Sequence, residues 1–449
     1  MADAFDRFKY LSDKLGKVLF DLKQNPSPHV PNPAGSKKRA SVALVIRVRP
    51  AHNEVIESLE SIPSDKVNLD AFFSQDWVKS GSPEVLFIKR IDRSGDRWSG
   101  HVALPGGRRD PEDEDDLGTA VRETWEEVGL KLDSKDCITI SNLPERIIST
   151  TWGHQVLMVI CPYVFLWTSP KSPTLQLQPC EIASAHWIPL ATLLSPALRT
   201  QQLADFSDRL MHRRGPLVRY LSRSLIGKMS FSAIRLIPNE SYYATILTDI
   251  VAPPTSRIRS ILSWMIPVAN AKSLPPAPPP LQLWGLTLGI LADFLDQFPP
   301  YDAVKLWTYP TFTPPDLQLI IYLSTLSKRQ ANARTLNDGA RTPQSIAQST
   351  VTPTSSTRRG SSGQSNNTAI DNTTAAVAVD QPFAPTSNTV SSSTAKSSTH
   401  AVGTLLDGYY DRMKIAIGIF LVWRLGLGIA FSIWVARHVR VGWKVKVSR

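Results

Sequence analysis

Three glutamates lie close together in this 449-residue chain, at positions 123, 126 and 127. Because an α-helix repeats every 3.6 residues, these spacings place Glu123, Glu126 and Glu127 toward one side of a helix. Like charges crowded on one helical face repel each other unless a cation neutralises them. Hard divalent ions such as Mg²⁺ or Mn²⁺ take carboxylate oxygens and bridge to substrate phosphates. The spacing therefore indicates metal-dependent chemistry at a phosphate group, with a merely solvated acidic face as the alternative.

The elements around these glutamates favour the metal site. The sequence predicts a helix over Leu117–Val128, whose apolar stripe packs on a sheet, and Gly129 stands where a left-handed C-terminal cap belongs. A Pro-Gly-Gly turn at 105–107 and an acidic loop at 110–116 precede the helix. Arg122 stands four residues before Glu126, so the two side chains are expected to pair.

The stretch from Gly107 to Leu130 resembles the Nudix box. That pattern is Gly, five residues, Glu, seven residues, and then Arg-Glu-U-x-Glu-Glu-x-Gly-U, where U is a bulky apolar residue. The second half matches at Arg122, Glu123, Glu126, Glu127, Gly129 and Leu130, with Thr124 as a weak U. Seven residues separate Glu114 from Arg122, but six rather than five separate it from Gly107, so the role of Glu114 is left open.

The longer loop is similar to that of the coenzyme A diphosphatase branch of this family. Further similar segments lie at 86–90, 100–107, 181–190 and 284–287, so the resemblance runs from about residue 41 to 298. It implies that the metal ligands are Glu123, Glu126 and Glu127, with the Gly107 carbonyl as a further ligand. It also implies that Glu181 is an extra ligand or a general base, which makes Glu123, Glu127 and Glu181 the catalytic candidates. An exposed acid at a strand edge is the alternative for Glu181.

Several other polar and aromatic residues have less specific patterns. Arg108 and Arg109 lie on the loop beside the box, where they are expected to clamp substrate phosphates unless they are a solvent-exposed pair. His154 is expected to be a surface or core histidine, and Trp152 and Trp187 to be core aromatics rather than platforms for a base. The cysteines have no metal-type spacing and are expected to be free, partly buried thiols: Cys137, Cys161 and Cys180.

The domain that carries these residues is predicted to span 41–300. Strands are expected at Val42–Val48, Glu84–Arg90, His101–Leu104, Cys137–Ile140, Val156–Trp167 and Glu181–Pro189. Their alternation with helices predicts an α/β fold, and the resemblance implies an α/β/α sandwich with a mixed sheet. Insertions are expected near 50–83 and 239–282, a buried apolar helix at Leu283–Phe298, and an extension of the domain at 301–327.

The two ends of the chain differ from this domain. Residues 1–40 are predicted to form an amphipathic helix and a linker, with the helix docked on the domain rather than on a membrane. Residues 328–402 are rich in Ser and Thr and poor in aromatics, which predicts a disordered tether.

The segment Ile415–Ala436 is apolar over the roughly 20 residues that a bilayer requires. Basic residues follow it, and they supply much of the net charge of +11, so the charge indicates a membrane surface rather than nucleic acid. Arg424 is the discordant residue, at an insertion cost of about 2.5–3.5 kcal/mol that the apolar neighbours can outweigh. The region 403–449 is therefore predicted to be a tail anchor with the catalytic part in the cytosol. The mitochondrial outer membrane, the peroxisome and the endoplasmic reticulum all fit.

The sequence thus predicts a Mg²⁺- or Mn²⁺-dependent diphosphatase for a nucleoside diphosphate-linked small molecule, with a lipid bilayer as its other partner. Coenzyme A or an acyl-CoA is the preferred substrate, and ADP-ribose or NADH is the alternative. A non-catalytic, membrane-displayed adaptor with the same fold is the competing class. No nucleic-acid partner is expected, and the oligomeric state is left open.

Overall fold

A computed structural model describes residues 2–33, 36, 38–51, 68–93, 99–149, 156–205, 225–244, 280–298, 307–341 and 401–447. Most of the predicted tether, the greater part of both predicted insertions, and the residues Trp152 and His154 lie outside the described residues.

The strands form two sheets. In chain order they are β1 (Arg39–Arg49), β2 (Ser82–Arg90), β3 (Val102–Ala103), β4 (Gly106–Arg108), β5 (Cys137–Asn142), β6 (Arg146–Ser149), β7 (Val156–Trp167), β8 (Ile182–Pro189), β9 (Arg199–Ala204), β10 (Met229–Arg235), β11 (Glu240–Tyr243), β12 (Gln282–Trp284) and β13 (Thr311–Phe312). The main sheet has the order β11-β8-β2-β1-β7-β5, with β3, β4 and β6 added at its sides, and the second has the order β12-β10-β13, with β9 on β10. Strands β1 and β7 are parallel and their other pairings are antiparallel, so the main sheet is mixed, as predicted.

Helices cover both faces of the main sheet. In chain order they are α1 (Ala2–Gln24), α2 (Leu69–Ser74), α3 (Asp76–Ser80), α4 (Asp116–Val128), α5 (Leu190–Leu193), α6 (Gly285–Leu295), α7 (Pro315–Arg341), α8 (Ala401–Leu406) and α9 (Tyr409–Val447). Because side chains alternate along a strand, Ala43 and Val45 of β1 pack toward α4, while Leu44 and Ile46 join the core on the side of α1 and α6. The predicted α/β/α sandwich is confirmed.

The leader helix α1 is docked on the domain, as predicted. Leu15 and Leu19 have no solvent exposure and belong to the main core. The Ser12 hydroxyl donates a hydrogen bond to the Val78 carbonyl of α3, at 2.7 Å. The described part of the predicted 50–83 insertion, α2 and α3, thus packs against the leader.

Two predicted boundaries are corrected inside the domain. Strand β11, at the start of the predicted 239–282 insertion, pairs with β8 and is an edge strand of the main sheet. The Glu240 carboxylate is held there by Arg47, a long-range partner that the sequence pattern did not reveal. The predicted helix at 283–298 begins only at Gly285, where φ is +68°, because residues 282–284 pair with β10. Its burial in the core is confirmed.

The predicted start of the tether, at residue 328, is wrong. Helix α7 continues to Arg341 because it packs along α8 and the start of α9. The buried Asn332 amide donates hydrogen bonds to the carbonyls of Leu405 and Asp407, at 3.0 and 2.9 Å. The helices against which α7 packs, α8 and α9, are distant in sequence. The polar composition of its second half therefore did not indicate a helix.

Helix α9 contains the predicted anchor segment. Within it, Tyr409–His438 is long and apolar enough to cross a membrane, with a mean hydropathy of 2.0 in its most apolar 18-residue window. Its first three turns bury Tyr409, Met413 and Phe420 against the domain. Beyond Phe420, the side chains up to Trp434 are exposed.

Candidate active site

The Gly-Gly turn is fixed to the start of β1 by close backbone packing. Gly106 pairs with Val42 in the sheet, and the Ala43 amide donates to the Pro105 carbonyl at 2.8 Å. Gly106 has a φ of +146°, and a Cβ there would lie 2.6 Å from the Val42 Cα. Only glycine fits this position, so the turn has a defined place in front of α4.

The carboxylate of Glu123 lies directly against the second glycine of this turn. A side chain at Gly107 would overlap the Glu123 carboxyl group, so the absence of a Cβ lets α4 approach the loop. The Asp115 side chain caps the start of α4 by accepting from the Gly118 amide at 2.6 Å, and Gly129 ends the helix with a φ of +69°. The predicted helix and its cap are both confirmed.

Glu127 is the most buried acid of the group, with 2% exposure. The Gly106 amide donates to its Oε2 at 2.9 Å, and Arg90 Nη1 lies 3.6 Å from its Oε1. The pKa of Glu127 is raised to about 8, first by burial and then by the charges of Glu123 and Glu181, against the opposing effects of Gly106 and Arg90. Burial also raises the pKa of Glu123. These carboxylates therefore hold more negative charge than the neighbouring cations neutralise.

Glu181 lies near this group because the chain before it is hydrogen-bonded to the end of α4. The amides of Gln176 and Gln178 donate to the carbonyls of Val128 and Glu127, at 2.8 and 3.0 Å. The following turn leads into β8 and leaves Glu181 half-buried, close enough to Glu127 to affect its pKa. The structure therefore brings Glu181 beside the glutamates of α4.

Arg122 organises the outer edge of the site. It donates to Glu126 at 3.1 Å, which confirms the predicted pair, and to Glu123 at 3.2 Å. Its strongest partner is Asp113, whose two carboxylate oxygens accept from Nε and Nη2 at 2.7 and 2.9 Å. Glu126 is half-exposed, so it lies at the rim whereas Glu123 and Glu127 face the turn.

The acid that the loop contributes is Asp113 rather than Glu114. Asp113 is 5% exposed, and its hydrogen bond from Arg122 holds the pKa of its carboxyl well below the usual range. Glu114 is exposed and contributes its backbone carbonyl, which accepts from Arg109 at 2.8 Å. Five residues separate Gly107 from Asp113, so a count from the glycine would have found it.

The two loop arginines have different surroundings. Arg109 pairs with Asp116 at 3.3 Å and also holds the carbonyls of the acidic loop. Arg108 is exposed beside the glutamates, and its carbonyl accepts from Arg122 at 3.1 Å. Arg90, at the end of β2, was missed by the sequence analysis; only its position beside the buried Glu127 identifies it.

A second group of possible metal ligands lies at the other end of α4. Ligand atoms of His29, Asp116 and Glu145 lie within 4.8 Å of one another. The guanidinium group of Arg39 stands among them, 2.6 Å from both Asp116 Oδ2 and Glu145 Oε2. It also donates to the Cys161 sulfur at 3.0 Å. Arg109 lies 3.3 Å from the other oxygen of Asp116, so two guanidinium groups balance the two carboxylates of this ion-pair network, which we call the Arg39 network.

The glutamates at the Gly-Gly turn fit a divalent cation better than the Arg39 network does. Their donor set consists of carboxylate oxygens next to a loop backbone, which is what Mg²⁺ and Mn²⁺ prefer. The pKa of Glu127 is raised mainly by burial and to a lesser extent by the neighbouring acids, and a bound cation would stabilise the ionised carboxylate against both effects. Glu123, Glu126, Glu127 and Glu181 are therefore the residues that would hold the ion, and the Gly107 carbonyl remains a prediction.

Trp187 and the three cysteines are the remaining described residues that the sequence singled out. Trp187 has no exposure and stacks under the Arg47 guanidinium, 4.1 Å from its ring centre, so it is a core aromatic. The three cysteines are free, as predicted. Cys161 is buried and Cys137 is half-buried, but Cys180 is exposed, contrary to the expectation of partial burial.

Comparison with known proteins shows what the part of the chain that carries this site is similar to. Residues 77–210 match the model of the NUDIX domain. An uncharacterized protein of Schizosaccharomyces pombe is 36% identical over 208 residues, which are 45% of this chain and 57% of that protein. The peroxisomal coenzyme A diphosphatase NUDT7 of Mus musculus is 29% identical over 182 residues, 36% of this chain and 68% of that protein. The mitochondrial coenzyme A diphosphatase NUDT8 of Mus musculus is 46% identical over 52 residues, 12% of this chain and 25% of that protein.

The turn, α4 and the carboxylates of the candidate active site lie within the matched residues 77–210. Two of the similar proteins are named as coenzyme A diphosphatases. The matched region spans a little over half the length of the S. pombe protein.

Proposed function

We propose that this protein is a divalent-cation-dependent diphosphatase that hydrolyses coenzyme A or an acyl-CoA at its diphosphate bond. The observation that carries the proposal is the buried, uncompensated carboxylate group at the Gly-Gly turn. An adaptor with no chemistry to perform would gain nothing from Glu127, because an acid buried at 2% exposure beside two other acids destabilises the fold.

The bound cation supplies neutralisation of the charge on the diphosphate oxygens. The residues of the chain hold the ion and handle the proton. Glu123 and Glu127 present their carboxylates from rigid turns of α4, and the Gly106 amide fixes one oxygen of Glu127. Glu181 is half-buried beside them, and in our proposal it takes the proton of the attacking water.

Two arginines would position the substrate. Arg108 is exposed at the mouth of the turn, and Arg90 has 28% of its side chain exposed next to Glu127. Guanidinium groups bind phosphate oxygens through paired hydrogen bonds, so both suit a diphosphate. Arg109 is the weaker candidate, because the acidic loop already occupies it.

The substrate class rests on two supports. The loop around Arg108 has the length found in the coenzyme A diphosphatase branch, and two of the similar proteins carry that activity in their names. ADP-ribose and NADH contain the same diphosphate and nucleoside, so they are the compounds that an experiment must separate.

We also propose that α9 anchors the protein in a membrane as a C-terminal tail, with the Nudix domain facing the cytosol. Its exposed apolar side chains from Leu421 to Trp434 support this, since water would disfavour them. The relatives are named as peroxisomal and mitochondrial, and those two membranes are the first to examine.

The test is an activity panel on the full-length protein in detergent, with coenzyme A, acetyl-CoA, ADP-ribose and NADH, each with Mg²⁺ and with Mn²⁺. We expect cleavage of the two coenzyme A compounds, with adenosine 3′,5′-bisphosphate as a product. Turnover of ADP-ribose or NADH alone would reject the substrate, and no turnover of any compound would reject the enzyme.

A matched pair of variants ties that activity to the site. Glu123→Gln should abolish turnover, whereas Glu112→Gln changes an exposed acid of the neighbouring loop and should leave it unchanged. Equal activity in both variants would contradict the assignment of the carboxylates.

A further inference from the structure

Helix α7 runs antiparallel to α9, and its first turns lie beside the anchor segment. Arg424, the single charged residue between Lys414 and Arg437, pairs with Asp316 of α7. The pair is bidentate, with Arg424 Nε 2.8 Å from Oδ2 and Nη2 3.0 Å from Oδ1 of Asp316. At the other end of the contact, Asn332 of α7 holds the carbonyls that precede α9.

A membrane span that began after Arg424 would be too short to cross a bilayer. Only 12 residues, Leu425–Ala436, lie between Arg424 and the basic tail. At 1.5 Å per residue they cover about 18 Å, whereas the hydrocarbon core of a bilayer is about 30 Å thick. A 20-residue span counted back from Ala436 starts at Ile417. Arg424 then lies roughly 10 Å inside the hydrocarbon, and Asp316 goes with it.

Three large apolar side chains of α7 are exposed at this level, with Gln318 as an exposed polar neighbour. Leu319, Tyr322 and Leu323 are 58%, 49% and 62% exposed, and their spacing of three and four residues places them on one face. The opposite face is packed in the domain, because Leu317 and Ile321 are buried. Beyond Leu323 the exposed positions up to Thr335 carry polar side chains or alanine and no large apolar side chain, as at Ser327 and Gln330. The apolar face therefore ends where water is expected to begin.

We propose that the first turns of α7, Pro315–Leu323, are seated in the same bilayer as α9, with Asp316 as the counter-ion of Arg424 inside the membrane. The occupant of the apolar face is the lipid, because Asp316, one turn before Leu319, is bonded to Arg424 within the exposed apolar stretch of α9. This inference rests on the proposed anchor. It adds that the Nudix domain is held against the membrane by two helices and does not hang from one.

Depth-resolved fluorescence of the full-length protein in phosphatidylcholine vesicles tests the seating. An NBD label is attached to a single new cysteine, in a background with Cys180→Ser because Cys180 is the exposed native thiol. The label positions are L319C and L323C on the apolar face, Q330C on the polar part of α7, and I429C in the middle of the anchor. All four native side chains are exposed, so labelling does not disturb the core.

We expect quenching by nitroxide lipids to decrease in the order 429, 319, 323, 330, with 330 emitting as in water. If position 429 is quenched while 319 and 323 behave like 330, the anchor stands and the seating of α7 is overturned. If all four labels emit as in water, the anchor fails as well.

The counter-ion role has its own test, the fraction of protein that resists alkaline extraction from vesicles. D316L leaves Arg424 without a partner in lipid and should lower this fraction several-fold. The double variant D316L/R424L should restore it, because both charges are gone. The control D411L removes an exposed acid that pairs locally with Lys414 and should have no effect. Unchanged extraction of D316L, or no recovery in the double variant, would overturn the counter-ion role.

Discussion

Helix α4 has a cluster of acids at each end, and the two clusters differ in how their charge is balanced. At the start of the helix, Asp116 and Glu145 share the guanidinium group of Arg39 at 2.6 Å each. Near its end, Glu127 has a more distant arginine, 3.6 Å away, and two further acids as neighbours. Among the described residues, the first cluster is balanced by its own arginines, whereas the second suits a cation from outside.

This difference separates a structural ion network from a site with chemistry to perform. By ligand type and spacing alone, His29, Asp116 and Glu145 also resemble a metal site. The buried guanidinium occupies the centre of that group, so a cation there would meet a positive charge. Uncompensated charge, rather than a count of acids, therefore identifies the candidate active site.

The largest expected effect is on activity. Glu127→Gln removes a ligand that sits between the Gly-Gly turn and Glu181, and we expect turnover to fall on the order of 10³-fold, since several kcal/mol of charge stabilisation is lost. The folded state should not suffer, because without a cation the Glu127 carboxyl group, whose pKa is raised to about 8, is already mostly neutral at pH 7, as the amide of glutamine is. Steady-state kinetics and urea unfolding of the same preparation measure the two effects. If Glu127→Gln lowered the free energy of unfolding as well as the activity, the carboxylates near Glu127 would have a structural role like that of the Arg39 network.

The opposite result is expected at the Arg39 network. Arg39→Met removes the guanidinium group that Asp116 and Glu145 share and leaves Arg109, 3.3 Å from Asp116, as the remaining arginine of the pair. The loss should lower the free energy of unfolding by about 3–5 kcal/mol. The neighbouring Lys38 is exposed, so Lys38→Met is the matched control and should change stability by less than about 0.5 kcal/mol. Urea denaturation compares the two. A cost below about 1 kcal/mol for Arg39→Met would mean that the network is not needed for the fold.

A smaller effect is expected at the rim of the site. Asp113→Asn weakens the hold on Arg122, which in turn positions Glu123 and Glu126, so we expect a loss of roughly 10–100-fold in activity. Glu114→Gln alters an exposed side chain and should have no effect. If Glu114→Gln lowered activity more than Asp113→Asn, Glu114 rather than Asp113 would be the acid that supports the site, which would contradict the arrangement described here.

The smallest effect concerns pH. Burial raises the pKa of Glu127 to about 8, so below that pH a cation must displace a proton. The apparent affinity for Mn²⁺ should therefore rise by up to about tenfold per pH unit between 6 and 8 and then level off. Without a cation, a raised carboxyl pKa favours the folded state at low pH, and this contribution is lost as pH rises through 8. Glu127→Gln should abolish both dependences, and an unchanged affinity profile in that variant would contradict the pKa assignment.

Local patterns in the sequence were sufficient for much of the fold. The helix at Leu117–Val128, the cap at Gly129 and the predicted strands follow from periodicity and from residue types that act within a few positions. The site was predictable to the same extent: Glu123, Glu126 and Glu127 share a helix, so their spacing indicates their grouping.

What the sequence did not reveal depends on partners far apart in the chain. Arg39 meets Asp116 and Glu145, which are 77 and 106 residues away. Asp316 meets Arg424 across 108 residues, and the packing against α8 and α9 makes a helix of residues that composition assigns to a tether. Asp113 was missed for a different reason, because the register of a turn-rich loop is not set by any periodicity.

Titration calorimetry of the full-length protein with Mn²⁺ tests the location of the cation most directly. Three proteins are compared: the unaltered chain, Glu123→Gln and His29→Ala, the last of which removes a largely exposed side chain of the Arg39 network. We expect the unaltered protein and His29→Ala to bind the ion alike, and Glu123→Gln not to bind it. Binding that survives Glu123→Gln but disappears in His29→Ala would place the ion in the Arg39 network and contradict the proposed site.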